Sequence, residues 1–247
     1  MHDLIKIAEN IAKKIASKVK KEDSHRFGEY VGMGADGTET VYIDKVAEDI
    51  ALKLIGDKAN VLSEEAGFID NGREYTFVID PIDGTKNAIN GIPFYGVSIA
   101  IGKKNIGDIE YGIVINIPSG DVYEARRGAG AFLNGRKIRV MNKPVYCLSL
   151  GKSGNEKTWA LAKRDTIRAM GAAAVEMCLV ASGAASLYFM PRDTLRVTDL
   201  AASTLIVREA GGFVYDIHGN PLEMPFSLEK RSGVIAVSNP SIMRDLI

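Results

Sequence analysis

The stretch "VIDPIDGTKN", residues 78–87, sets two carboxylates, Asp80 and Asp83, around Pro81 at the end of an apolar run. Val78 and Ile79 belong to that run, which reads as a buried strand. Proline fixes its own torsion and gives up an N–H donor, so the chain must turn there. Both aspartates can then face the strand end. Two carboxylates that close repel each other unless positive charge lies between them. A divalent cation answers that repulsion, and an all-oxygen ligand set suits a hard ion such as magnesium. Gly84, Thr85 and Lys86 then begin a helical turn, whose unpaired N–H groups suit a phosphate. A capped turn, with Asp83 as N-cap and Asp80 in the turn, accounts for the same ten residues with no ligand at all. On these residues both readings stand.

Other acids recur at element ends. "VLSEEAG" puts Glu64 and Glu65 after a short β-branched run, and "RVTDLAAS" puts Asp199 at a helix start. Each has a plain alternative, a solvated pair or an N-cap. "GMGADG", Gly32 to Gly37, matches G-x-G-x-x-G. A dinucleotide fingerprint must follow a strand and open into a helix. No clear strand precedes this loop, and Thr40, Val41, Tyr42 and Ile43 after it look extended. The match therefore reads as a flexible loop, whose Asp36 could approach a bound cation, and a nicotinamide-dependent dehydrogenase is disfavoured.

Elements that would position these acids follow from periodicity. Leu4, Ala8, Ile11, Ile15 and Val19 predict a surface helix over about residues 3–21, and Val46, Ala47, Ile50 and Leu54 a second from Asp44 to about Ile55. Strands dominate next: "ANVLSE", "YTFVID", "YGVSIAIG", "IEYGIVINI", "DVYEARRG" and "GAFLNGRKI" suggest a largely antiparallel sheet. After about residue 144 strands and helices alternate. "YCLSLG" precedes a helix near 156–168, "AAAVEMCLVASG" is an apolar helix, "SLYFM" a strand, and "DLAASTLIVREAGG" a helix closed by glycine. "FVYD" and "VIAVS" are further strands. The fold class is α/β (α+β), with an N-terminal, mostly antiparallel sheet and a C-terminal α/β half. The division is a single domain over 1–247, with subdomains of about 1–143 and 144–247.

Composition narrows the function. The 247 residues carry 31 basic and 31 acidic side chains, which argues against a general nucleic-acid binder. Two cysteines, Cys147 and Cys178, lie in apolar stretches and read as small buried hydrophobes. That usage fits a reducing cytoplasm. Lysines interrupt the N-terminal apolar positions, so no signal peptide is expected, and no run approaches a membrane span. His2, His25 and His218 are scattered, which disfavours a zinc site or a serine–histidine–aspartate triad.

The ordered set of acids, Glu64-Glu65, then Asp80-Pro81-Ile82-Asp83-Gly84-Thr85, then Asp199 before "AASTLIVREAGG", resembles the inositol monophosphatase and fructose-1,6-bisphosphatase superfamily, the magnesium-dependent, lithium-sensitive phosphatases. "AAAVEMCLVASGAASLY" and "GAGAFLNGRKI" extend the resemblance over nearly the whole chain. "GADGTETVYID" and the short length look most like archaeal members of dual activity. The resemblance implies a layered αβαβα sandwich, a homodimer, and two to three Mg²⁺, with Mn²⁺ as a possible substitute. It implies Glu64, Asp80 and the Ile82 carbonyl around a first ion, and Asp80, Asp83 and Asp199 around a second. Glu64 would also reach a third, with help from Glu65 or Asp36. Thr85 and Asp44 would hold the attacking water. Asp83, Gly84, Thr85, Ala173 and Asp199 would line the substrate, with Gly84 and Thr85 N–H groups on its phosphate. Attack would be in line, with no phospho-enzyme. Inositol-specific members carry a glutamate where this chain has Met190, while Arg192 nearby suits a second phosphate by bidentate hydrogen bonding. Lys163 and Arg168 are weaker candidates for that contact.

The implied activity is Mg²⁺-dependent hydrolysis of fructose 1,6-bisphosphate, myo-inositol 1-phosphate or both. A 3'(2'),5'-bisphosphate nucleotidase and a non-catalytic regulator retaining the fold are the alternatives. Intact acids at every position count against the regulator.

Overall fold

The computed structural model describes residues 1–35 and 37–246. Its larger sheet has eight strands in the spatial order Arg136–Ile138, Gly130–Leu133, Val122–Arg126, Tyr111–Asn116, Gly96–Gly102, Thr76–Asp83, Asn60–Ser63 and Gly67–Ile69. Every pairing is antiparallel except that of Asn60–Ser63 with Thr76–Asp83. The smaller sheet runs Thr166–Arg168, Val145–Leu148, Leu187–Leu195, Ser232–Val237, Phe213–Tyr215. Its first two pairings are parallel and the rest antiparallel. Among the described residues, six α-helices accompany the sheets: α1 (His2–Val19), α2 (Tyr42–Ile55), α3 (Thr85–Ile89), α4 (Glu156–Arg164), α5 (Ala173–Ala181) and α6 (Val197–Glu209).

Alternation along the strands builds the layers. Val61, Phe77, Ile79, Ile99 and Ile113 point to one face of the large sheet, where Ala8, Ile11 and Ile15 of α1 and Ile43, Ala47 and Ala51 of α2 cover them. Leu62, Val78, Ala100 and Val114 point to the other face, against α5 and α6. Those two helices are apolar nearly all round because they are sandwiched: their far sides meet Cys147, Tyr188, Val234 and Ala236 of the small sheet. The outer face of that sheet, Leu148, Leu187, Phe189 and Ile235, packs on Leu161 of α4 and on Leu246. The result is the αβαβα stack that the family resemblance implies.

Three local expectations change. The helix near 156–168 ends at Arg164, because Thr166 and Ile167 are β-branched and pair with Val145 and Tyr146. A strand, Tyr30–Met33, does precede the glycine loop, pairing antiparallel with Glu39–Val41. Tyr42 and Ile43 are helical rather than extended. The loop is thus a hairpin connection between two strands, unlike the strand-to-helix turn of a dinucleotide fingerprint. Asp36 lies outside the described residues.

Candidate active site

A cavity of about 460 Å³ opens where the ends of the large-sheet strands meet α3, α5 and α6. Its wall includes Glu64, Asp80, Ile82, Asp83, Gly84, Thr85, Ala173 and Asp199. Carboxylate oxygens of Glu64, Asp80 and Asp199 lie within 4.8 Å of one another.

The register of one strand pair explains how Asp80 and Asp83 share a side. Residues three apart on a regular strand face opposite ways. Here Asp80 opposes Ser98 and Asp83 opposes Gly96, so three steps on one strand match two on its neighbour. That extra residue is a bulge, supplied at Pro81-Ile82, and it turns both aspartates to one face. Gly96 has no room for a side chain: a Cβ there would sit 2.7 Å from the Ile115 carbonyl oxygen and from Val175. Gly84 follows with φ +87°, where a Cβ would also come within 2.9 Å of Ala172. Asp83 is therefore the last strand residue, and Gly84, not Asp83, caps α3.

The remaining groups arrive from other elements. Asp44 stands in the first turn of α2, 7% exposed, with the Thr85 hydroxyl 3.1 Å from its Oδ1. The same hydroxyl lies 2.9 Å from the Ile82 carbonyl oxygen. Burial pushes the Asp44 carboxyl up to about 7, against the pull of that hydroxyl. Asp199 sits at the third position of α6, where its Oδ2 accepts the Arg196 N–H at 2.8 Å; it closes the first turn from inside instead of capping it. Ala173, the first residue of α5, lines the cavity and turns its N–H to Asp83, which also accepts the Val175 N–H at 3.0 Å. Asp80 is raised well above the usual carboxylate range, first by burial and then by Asp199, Asp83 and Asp44. Asp83 is raised by burial too.

Several expected contacts fall elsewhere. Glu65 lies outside the cavity wall and accepts the Thr40 hydroxyl. Arg192 is exposed, with a terminal nitrogen 3.3 Å from the Gly154 carbonyl oxygen, and does not line the cavity. Lys163 and Arg168 are exposed and also absent from the wall. Among the described residues, the cations that do line it are Lys86 and Arg196. Met190 does contribute to the wall, so an apolar side chain fills the place expected for a sugar-gripping glutamate.

Sequence reasoning passed over two buried acids. Glu48, 4% exposed, accepts Ser63 Oγ at 2.5 Å and Ala66 N–H at 2.8 Å, and so clamps both ends of the turn that carries Glu64. It lies four residues after Asp44, on the same face of α2, which was a readable signal. Glu176, 2% exposed, accepts the Met170 and Gly171 N–H groups at 3.0 Å each. Burial raises its carboxyl to about 7. Asn87 completes that clamp, its amide donating to the carbonyls of Phe94 at 2.7 Å and Met170 at 2.6 Å.

The stacked fold and the acid-lined cavity describe a layered α/β phosphatase, and comparison with known proteins agrees. The sequence profile of the inositol monophosphatase family matches residues 1–247. A fructose-1,6-bisphosphatase/inositol-1-monophosphatase of Thermococcus kodakarensis is 39% identical over 246 residues, covering 98% of this chain and 94% of its own. A bifunctional NADP phosphatase/NAD kinase of Methanococcus maripaludis is 33% identical, over 99% of this chain and 49% of its own. A solved inositol monophosphatase-fructose 1,6-bisphosphatase superposes with a TM-score of 0.87 at 36% identity, covering 97% of this chain and 96% of that one. The chain belongs to the inositol monophosphatase family. Among the described residues, no helix is long and apolar enough to cross a membrane.

Proposed function

We propose that this phosphatase hydrolyses phosphate monoesters of sugars and inositol, foremost fructose 1,6-bisphosphate and myo-inositol 1-phosphate, with bound Mg²⁺. The observation that carries the reading is the convergence of Glu64, Asp80 and Asp199 beside Gly84 and Thr85 in one cavity. The donor set is all oxygen, without histidine or cysteine, which fits a hard divalent ion. The buried, mutually repelling acids also call for positive charge.

Glu64, Asp80 and the Ile82 carbonyl would hold one ion, and Asp80, Asp83 and Asp199 a second. A third would fall to Glu64, with Glu65 near. Mn²⁺ would serve in place of Mg²⁺. When bound, such ions supply Lewis acidity that offsets phosphoryl charge and makes a water acidic enough to attack near neutral pH. Thr85 and Asp44 would orient that water, the Thr85 hydroxyl lying 3.1 Å from Asp44 Oδ1, and Asp44 would accept its proton. Backbone N–H groups at Gly84 and Thr85 bind the phosphoryl oxygens, and Gly84 lets them come close. Asp83 and Asp199 stand on the leaving-group side. Ala173 and Met190 form the wall against which the polyol rests. A cytoplasmic homodimer completes the reading.

A nucleotide substrate is the second reading, favoured by the name of the Methanococcus relative. The test is phosphate release from fructose 1,6-bisphosphate, myo-inositol 1-phosphate, 3'-phosphoadenosine 5'-phosphate and NADP⁺, each with and without Mg²⁺. Mg²⁺-dependent release from the first two supports the proposal. Release confined to the nucleotides transfers it to the second reading, and release from none defeats both.

A further inference from the structure

Arg196 occupies the N-cap position of α6. Its side chain is 17% exposed and lines the cavity. One terminal nitrogen pairs with Glu64, and the other lies 3.3 Å from Asp199 Oδ1, with Nε 3.4 Å from Oδ2. Glu64 and Asp199 are two of the three acids whose oxygens converge. A guanidinium keeps its charge at any pH the fold tolerates, so it cannot be titrated out of the cluster. The guanidinium engages both oxygens of Asp199 and Oε1 of Glu64, so it occupies two of the carboxylates a divalent ion would need. An ion placed among these acids would also stand next to the guanidinium, and like charges at that range are costly where water is scarce.

We propose that Arg196 is a resident counter-cation, which bridges Glu64 and Asp199 in the metal-free protein, competes with the divalent ion for those carboxylates, and leaves them as the ion loads. The inference rests on the reading that these acids bind a divalent ion. Its backbone need not move: the Arg196 N–H donates to Asp199 Oδ2 at 2.8 Å through the main chain, a bond that does not depend on the side-chain rotamer. Two consequences follow. The metal-free site is held together by an internal cation rather than sprung apart by its acids. The ion must also displace that cation, so the site binds Mg²⁺ more weakly than its carboxylates alone would.

The test uses the full chain stripped with EDTA, titrated with MgCl₂ by calorimetry, and melted with and without Mg²⁺. Arg196→Met keeps length and apolar bulk but removes the charge, whereas Arg196→Lys keeps the charge and loses the bidentate fork. The Met variant is expected to bind Mg²⁺ about tenfold tighter than wild type, a change worth about 1.4 kcal/mol, with Lys in between. Metal-free Arg196→Met should melt below metal-free wild type, while the two should melt together in saturating Mg²⁺. Equal or weaker Mg²⁺ binding by the Met variant overturns the proposal. Should that variant not fold, the wild-type Arg196 Nε–H resonance, assigned by its loss in Arg196→Lys, decides. It should be protected from exchange without metal and lose that protection on Mg²⁺ saturation; an unchanged signal overturns the proposal. Absence of any Mg²⁺ binding, in wild type and variant alike, would instead bring down the metal reading itself.

Discussion

Glu48 touches no substrate, yet its loss should be felt at Glu64. Its Oε1 alone accepts both Ser63 Oγ and the Ala66 N–H, which flank the Glu64-Glu65 turn. Ser63 is 1% exposed, so water cannot take over the bond. Glu48→Ala leaves the buried Ser63 hydroxyl and the half-buried Ala66 N–H without their acceptor; the hydroxyl alone should cost about 1–3 kcal/mol of stability, and the N–H less. It also frees a turn that carries a metal ligand, and removing such an outer support typically weakens metal affinity about 10–100-fold. Glu48→Gln keeps the one oxygen that accepts both bonds. Burial already disfavours the charged form of Glu48, so the neutral amide should be well tolerated. The assay is urea denaturation, together with the Mg²⁺ dependence of phosphate release. The Ala variant should need about 10–100-fold more Mg²⁺ for half-maximal rate and approach wild-type kcat at saturation; the Gln variant should resemble wild type. An unchanged Mg²⁺ requirement in Glu48→Ala, or a Gln variant as impaired as Ala, would refute the reasoning.

Three further perturbations test other parts of the site. Asp80→Asn should cut kcat about a thousandfold or more, yet leave the metal-free melting temperature unchanged or higher, since it removes one of several repelling charges. Asp44 and Glu176 titrate at about 7 in the fold, above their unfolded values of 3.8 and 4.5. The folded, metal-free protein therefore holds protons that the unfolded chain releases, and its stability should fall as pH rises from about 4 to about 7. Calorimetric melting across that range checks the sign, and a melting temperature that climbs instead would contradict it. Asn87→Ala removes both donors to Phe94 and Met170, which should loosen the 169–171 wall and raise KM about tenfold more than it lowers kcat. Steady-state kinetics on fructose 1,6-bisphosphate would show that split, and equal loss in both terms would argue for a wider collapse.

Apolar and β-branched runs exposed most of the architecture in advance, because the central strands of the large sheet, Asn60–Ser63, Thr76–Asp83, Gly96–Gly102 and Tyr111–Asn116, are buried on both faces between helix layers. The hairpin Tyr30–Met33 escaped because its residues are mostly exposed and glycine interrupts it, leaving no periodicity to read. In the site, "DPIDGT" was legible because proline, two acids and glycine at that spacing leave few ordinary explanations. The distal cations were not. Arg192 and Arg196 stand four residues apart, and only the irregular pairing between Met190 and Leu195, with the chain's turn into α6, decides that Arg196 enters the cavity while Arg192 faces outward. Glu176 looks like a stray acid in an apolar helix until the 170–171 backbone folds over it.

Diffraction from crystals soaked in MnCl₂, recorded for anomalous scattering, tests the central claim most directly. Anomalous peaks bounded by carboxylate oxygens of Glu64, Asp80 and Asp199 are the expected result, with Asp83 on the second of them. Crystals that show no peak among these acids, at Mn²⁺ concentrations that support phosphate release in solution, would contradict the account.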